Sequence, residues 1–385
     1  MKSKLKVTRS KRVKDNSENK HSHLTISLIA VAVGLLFAFL LTIATGRNPF
    51  DLLTALVRSM TGFNLQNPDS FNIMYVLNWF LNAVPIIMTG LSVAFAYRTG
   101  LFNIGGEGQI IAGSTAAAAV ALLVELPPII HPIACILAAA AAGALWGFLP
   151  GFLKAYRGIN EVVICIMMNY CGMYACSWFT KVFLPIDPNT NDRTIAIMES
   201  AELKQVFSNS TSQFNWGFIV ALIAVVLFWF VIEKTTFGYS LRATGFNKEA
   251  ARFAGMKVER NITLSMMIAG ALSGIAGALL ILGIYRYGRI FTFFDNYGFD
   301  GISVALVGGS TGIGVLLAGM LFGLFKAASG NLQLFNIPKE ISELIQAIII
   351  YLVAIQYAIV LLLDKFNARK RKKKEIEEKP EGGNV

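Results

Sequence analysis

Apolar residues run along this chain in blocks about as long as a bilayer crossing, some twenty residues each. Short breaks rich in glycine and polar groups separate them. The pattern predicts about ten membrane segments, near residues 25–45, 75–97, 107–125, 130–153, 160–184, 215–233, 262–284, 299–312, 314–329 and 342–364. The segments at 299–312 and 314–329 are short and divided by GGSTGIG, Gly308 to Gly314. They read as half-helices or one re-entrant pair. The first block, LTISLIAVAVGLLFAFLLTIAT, exceeds the apolar core of a signal peptide, about 7–15 residues, and has no convincing small-residue cleavage site. It predicts an uncleaved first helix. The fold expected is an all-α polytopic membrane protein with some helices broken or re-entrant. Residues 1–24 form a basic tail, 25–364 the membrane domain and 365–385 a charged tail.

Composition agrees. The 385 residues are 55% hydrophobic and only 15% charged, and mean hydropathy is +0.58; soluble domains carry about 25% charge. The net charge of +11 is not spread evenly. Eight Lys/Arg precede the first segment, six lie between Lys234 and Arg260, and DKFNARKRKKKE follows the last. An even segment count puts all three on one face. Basic flanks mark that face as cytoplasmic, with both termini on it. The stretches 46–74 and 185–214 then face outward. Arg286 and Arg289 do not fit this scheme. Charge placed at membrane flanks argues against nucleic acid as a partner. The basic part of RKRKKKEIEEKPEGGNV suits anionic lipid headgroups instead.

Several chemistries are missing. Cys135, Cys165, Cys171 and Cys176 lie in apolar segments without CxxC spacing and read as reduced, buried side chains. His21, His23 and His131 all avoid mid-span positions, so no histidine metal site or proton relay is expected. The sequence contains no GxxxxGK[ST], no GxSxG and no HExxH. No nucleotide hydrolysis by this chain is expected. Ion-coupled carriers usually need intramembrane acids. Glu107, Glu161, Asp300 and Glu343 are the candidates, and all sit near predicted segment ends.

Three GxxxG pairs, Gly143/Gly147, Gly270/Gly274 and Gly319/Gly323, predict close helix packing. A different kind of break is GLFNIGGEGQIIAGS, Gly100 to Ser114. Glycine and polar groups are tolerated at membrane depth where backbone lines a cavity or is buried in protein. Broken helices of transporters use this to meet solutes. Two readings fit. Asn103, Glu107 and Gln109 line a translocation path, offering donors and acceptors to hydroxyls and base edges. Or the stretch is a tight cytoplasmic turn, with Asn103 capping and Glu107 beside a helix start. Asn169, within CIMMNYCGMY, either bonds a solute while Tyr170 stacks on it, or bonds a neighbouring helix. Asp300 and Ser303 form a further cluster, where Asp300 is a ligand or a helix-start acid. Asn160 and Glu161 suit the cap of a helix.

The loop EKTTFGYSLRATGFNKEAARFAGMKVERNI carries its own helix signal. Asn247 is an N-cap, Glu249 lies in the first turn, Ala250, Ala251 and Arg252 follow, and Gly255 ends the helix. A short amphipathic helix between two spans suits insertion into a partner's groove; a basic loop lying on anionic lipid is the other reading.

EAARFAG resembles the coupling loop of ATP-binding cassette importer permeases, although a downstream proline of the fuller motif is absent. AVPIIMTGLSVAFAYRTGLFNIGGEGQIIAGS, Ala83 to Ser114, is similar to the signature of permeases in the branched-chain amino acid, ribose and nucleoside importer superfamily. FNIGGEGQ, GINEVVICIMMNY and YGFDGISVALVGGSTGIGVLLAGMLFG resemble its nucleoside branch, in the expected order, and the likeness spans about residues 25–364. The resemblance implies a ten-helix permease subunit in a bacterial plasma membrane. It implies a second, homologous but different permease chain, a cytoplasmic ATPase and an external substrate-binding lipoprotein. ATP and magnesium belong to the ATPase, and this chain binds no cofactor. Transport by alternating access without catalysis by this chain follows, with Asn247–Gly255 as the coupling element and a nucleoside as solute. A pentose, a branched-chain amino acid, or an ion-coupled carrier for a nucleoside or sugar remain as alternatives, with an integral-membrane enzyme a more distant one.

Overall fold

The computed structural model describes residues 20–65, 70–206, 214–334, 337–338, 340–341, 343–348 and 351. Among the described residues from 20 to 334, twelve helices follow in chain order: α1 (Lys20–Ala44), α2 (Pro49–Thr61), α3 (Ile73–Arg98), α4 (Gly106–Leu123), α5 (Ile130–Arg157), α6 (Glu161–Phe183), α7 (Gly217–Lys234), α8 (Thr236–Phe246), α9 (Lys248–Phe253), α10 (Val258–Leu280), α11 (Tyr297–Val307) and α12 (Gly312–Leu334). A π-helical turn, Ile281–Tyr285, extends α10. Strands β1 (Arg193–Ala196) and β2 (Tyr287–Arg289) form an antiparallel pair.

Seven of these helices, α3 to α7, α10 and α12, are long and apolar enough to cross a bilayer. The predicted boundaries match them within a few residues, because an apolar run and the polar cap that ends it are both local. Asn72 and Asn160 each accept a backbone N–H two residues on and so start α3 and α6. Three differences stand out. The stretch 46–74 contains α2, started by Asn48 and Pro49 and too short for a span-length window to detect. The segment expected at 314–329 is not short, since α12 continues to Leu334. A small sheet interrupts the all-α expectation. Most of the predicted segment 342–364, residues 1–19 of the predicted basic tail and all of the predicted charged tail 365–385 lie outside the described residues.

Glycines decide how closely the helices approach. A methyl at Gly143 would overlap the carbonyl of Gly270, and one at Gly147 that of Met266. Two of the predicted GxxxG pairs therefore face each other, and α5 and α10 touch backbone to backbone. The third pair sets α12 on α3, with Gly319 over Ile87 and Gly323 over Ala83. In lipid such contacts supply dispersion and Cα–H···O attraction where water drives nothing together. The main apolar cluster runs between these helices through Ile87, Leu91, Ala276, Leu280, Val304 and Phe322.

Of the two misfit arginines, Arg286 directly precedes β2 and Arg289 ends it. Arg286 pairs with Glu202 at 3.5 Å, and Arg289 pairs with Asp295 and stacks over the Tyr285 ring. Nearby, the backbone N–H of Asn189 holds the Asp187 carboxyl below the usual range, where it also pairs with Arg193. All four cysteines are free; Cys135 and Cys165 are buried as expected, but Cys171 is exposed. At the other end, Arg98, Lys154 and Lys234 close α3, α5 and α7, which gathers basic residues there.

Replacing Gly143 by Val should force α5 and α10 apart, at an overpacking cost of about 1–3 kcal/mol or more. Thermal unfolding of the purified protein in detergent should show a clearly lower midpoint. Gly330→Ala, where an added methyl meets open space, should leave it unchanged. Equal midpoints for the two variants would refute this packing.

Candidate functional site

Two interruptions of the helical pattern meet inside the bundle. After Arg98 the chain does not turn directly into α4. Gly100 takes a left-handed φ of 73°, and residues 101–105 run back into the bundle. Asn103 Nδ2 donates to Ser92 Oγ at 3.1 Å. Ser92 lies six residues before Arg98 on α3, so this loop climbs about 9 Å from the end of that helix. Helix α4 therefore starts within the protein. This explains how a helix-end residue such as Glu107 comes to be buried.

The second interruption descends from the opposite end. The chain leaves the π-turn at Arg286, also left-handed at φ 60°. It pairs with β1 and then passes α6 as irregular backbone, with bends at Thr292, Phe293 and Asn296. Ser177 Oγ accepts from Phe291 N at 2.9 Å and donates to Phe291 O at 3.0 Å. Gly288 N–H donates to Thr194 Oγ1 at 2.7 Å. Helix α11 begins only at Tyr297, where Gly298 packs on Gly106 and Glu107. With 11 residues it spans about 16 Å, half a bilayer core. One half of this segment is largely irregular and the other half helical.

Glu107 joins the two helix starts. From the first turn of α4 its Oε1 accepts the N–H of Gly298, in the first turn of α11, at 2.8 Å. A carboxylate is favoured at a helix N-terminus, and here one carboxylate serves two. Only glycine fits at 298, because a methyl there would overlap Glu107 N. Asn103 and Gln109 form a reciprocal amide pair, at 2.9 and 3.1 Å. Asn103 Oδ1 also accepts from Gly105 N at 3.1 Å. Asn169, from α6, accepts from Gly108 N at 2.8 Å and donates to Ile104 O at 3.0 Å. Ser92 Oγ donates to Ala269 O and accepts from Ser273 on α10.

The structure thus brings Asn103, Glu107, Gln109 and Asn169 together, all at most 2% exposed, with their polar groups engaged by protein. Ser303 is buried on α11 and donates to Phe299 O at 3.4 Å. Asp300 lies 3.9 Å from Lys326 of α12, whose ammonium also covers the Tyr297 ring. Tyr170 stands apart from the buried set. It is half exposed and meets Phe294 edge-on at 5.1 Å, and Phe294 meets Phe299 at 6.3 Å. Sequence reasoning missed Ser92, Ser273, Lys326, Phe294 and Phe299. The YGFDG stretch following an aromatic-rich break was the available signal for the last two.

At the basic end, Asn247 Oδ1 accepts from Ala250 N at 3.0 Å and starts α9. Gly255, with φ 80°, closes the turn by donating to Arg252 O. Arg252 pairs with Glu249 at 3.3 Å and with Glu259 at 2.5 Å. Ala251 faces inward, Ala250 outward. Phe246, the last residue of α8, and Phe253, the last of α9, are 90% and 92% exposed.

Residues 75–354 match the family described as branched-chain amino acid transport system / permease component. A guanosine ABC transporter permease protein of Bacillus subtilis is 41% identical over 90% of this chain and 98% of its own length. A nucleoside ABC transporter permease protein of Lactococcus lactis is 32% identical over 91% and 96%. A second Bacillus subtilis guanosine permease protein is 25% identical over 71% and 87%.

Exchanging Asn169 for Leu keeps side-chain size but strands Gly108 N–H and Ile104 C=O, at about 1–3 kcal/mol for each buried group. Detergent stability should drop markedly, whereas Tyr170→Phe should leave it intact. An unaltered midpoint for the Leu variant would mean that this amide does not hold α4 to α6.

Proposed function

The chain belongs to the family of branched-chain amino acid transport system permease components, and we propose that it is the membrane subunit of an ATP-driven importer that brings nucleosides into the cell. End-to-end similarity to a guanosine permease protein carries the substrate part of this reading. Seven long helices, the shorter apolar stretches in α1 and α11 and the segment at 342–364 make ten crossings. Both termini and the basic end are then cytoplasmic. The partners are an ATPase that holds ATP and magnesium, a substrate-binding lipoprotein outside, and a different permease chain. The existence of two distinct guanosine permease proteins in one organism supports a heterodimer.

Solute moves by alternating access, and this chain supplies geometry without chemistry. The meeting of two interrupted spans is where transporters place their binding region. Within it the buried amides of Asn103, Gln109 and Asn169, with Glu107 and Ser303, fix the backbone. Tyr170, Phe294 and Phe299 offer ring faces and edges to a nucleobase, with Asp300 and Lys326 alongside. At the cytoplasmic end, α9 with Asn247, Glu249, Ala250, Ala251, Arg252 and Gly255 is the element the ATPase grips. Two aromatic side chains left in water beside a short, rigidly capped helix have the form of interface anchors.

Labelled guanosine uptake should be lost on deletion of this gene and on ATP depletion at fixed membrane potential, and restored by the gene. Uptake that ignores ATP would overturn the ATP-driven reading, and uptake of ribose or leucine in its place would overturn the substrate. Phe253→Ala should remove an anchor worth about 2 kcal/mol or more, so the ATPase subunit should no longer co-purify. Phe293→Ala, an exposed aromatic before α11, should not affect co-purification. Full co-purification with Phe253→Ala would show that α9 is not gripped there.

A further inference from the structure

The route by which movement of α9 reaches the buried junction is visible in the packing. Helix α8 ends against the end of α3 with no side chain between them. A methyl at Gly245 would stand 2.6 Å from Arg98 O and 2.9 Å from Gly100 N, and one at Gly100 would stand 3.1 Å from Gly245 Cα. The contact is braced on both flanks. Glu233, in the last turn of α7, binds Arg98 through one oxygen and Arg242 of α8 through the other, the latter at 2.6 Å. Thr244 accepts from Asn261 of α10 at 2.9 Å, and Thr99 accepts from Ser265 of α10 at 2.8 Å. Beneath it, Ala251 of α9 and Leu101 of the re-entrant loop share one apolar cluster with Cys165 and Met266. Two residues beyond Leu101 lies Asn103, which is hydrogen-bonded to Gln109 of α4; on that same helix, two residues earlier, Glu107 accepts from Gly298 at the start of α11.

One side of this contact is open. A cavity of about 440 Å³ lies between it and the turn after α11. Gly100, Leu101, Phe102 and Gly245 line one wall, and Gly309 and Ser310 another. The far end of α11 thus meets the same space that the α3–α8 contact borders.

Resting on the reading of α9 as the ATPase-gripped element, we propose that the Gly100–Gly245 contact is the joint that carries motion of α8 and α9 into the interrupted spans. The joint stays closed and moves as one body, and the cavity beside it is the clearance that its motion takes up. Gly100 and Gly245 are positioning residues. They act by letting two backbones meet.

The test uses the complete transporter, with its binding protein, in liposomes, and measures ATP hydrolysis and guanosine uptake in parallel. ATP-dependent uptake by the unmodified protein checks the functional reading independently of the joint. Gly245→Ala should reduce guanosine moved per ATP hydrolysed by about tenfold, a factor typical of inter-site coupling, while ATP hydrolysis persists. An unchanged ratio, including a parallel loss of both activities, overturns the proposal. A second test does not depend on tolerance of Gly245→Ala. Cross-linking Phe102→Cys to Ser310→Cys across the cavity should abolish uptake, with reversal on reduction. Indifference to that cross-link overturns the proposal.

Discussion

A peptide group in hydrocarbon must find a partner within the protein, and the hydrogen bond from Gly298 N–H to Glu107 is where this chain meets that demand twice over. Each interrupted span exposes the unpaired donors of a helix start. Setting one helix start against the other, with a carboxylate between them, satisfies donors that water would otherwise have to reach. The remaining features follow from this junction. The amide pair of Asn103 and Gln109, with Asn169, holds one approach, Ser177 holds the other at Phe291, and the glycines at 106 and 298 remove the atoms that would keep the two helices apart.

The bundle around the junction is built on the opposite principle. Where α5 faces α10 the contact is backbone against backbone at Gly143, Gly147, Gly270 and Gly274. Such a seam has no rotamers to rearrange and little freedom to repack by degrees. It forms the stiff body against which α11, the re-entrant loop and the α8–α9 arm are mounted. A transporter needs both kinds of part, because a moving element transmits force only if it is anchored to something that does not yield.

Much of this was legible in the sequence because much of it is local. An apolar run with Asn72 or Asn160 at its head gives a helix, and NKEAARFAG contains its own cap and stop. The glycine-rich break at 100–114 was readable as a break, and Glu107 as a residue near a helix start. What remained hidden was depth. Nothing in FNIGGEGQ states that α4 begins about 9 Å inside the bundle, since that follows from a bond to Ser92 on another helix. Nor does composition reveal that Asn169 is committed to Gly108 and Ile104 while its neighbour Tyr170 is left open. The two positions look alike to a sequence pattern, and only the neighbouring helices separate a holding residue from a presenting one. Arg286 and Arg289 offended a charge rule for the same reason. Their acids, Glu202 and Asp295, are set beside them by tertiary folding.

The Glu107–Gly298 bond also has a place in time. Its two ends are 191 residues apart in the chain. At ordinary synthesis rates the ribosome needs about 10 to 40 s to deliver the second after the first. Helix formation is over within microseconds, so α4 is complete long before its partner exists. Its hydropathy, equal to 1.2, is the lowest among the seven long helices, and it carries an acid whose mate is still unmade. During that interval the newborn half-protein must shelter α4 by other means, in the insertion machinery or against α3 and α5. Closure of this junction therefore waits for the arrival of α11, and a chain truncated before Tyr297 would be left holding an open junction.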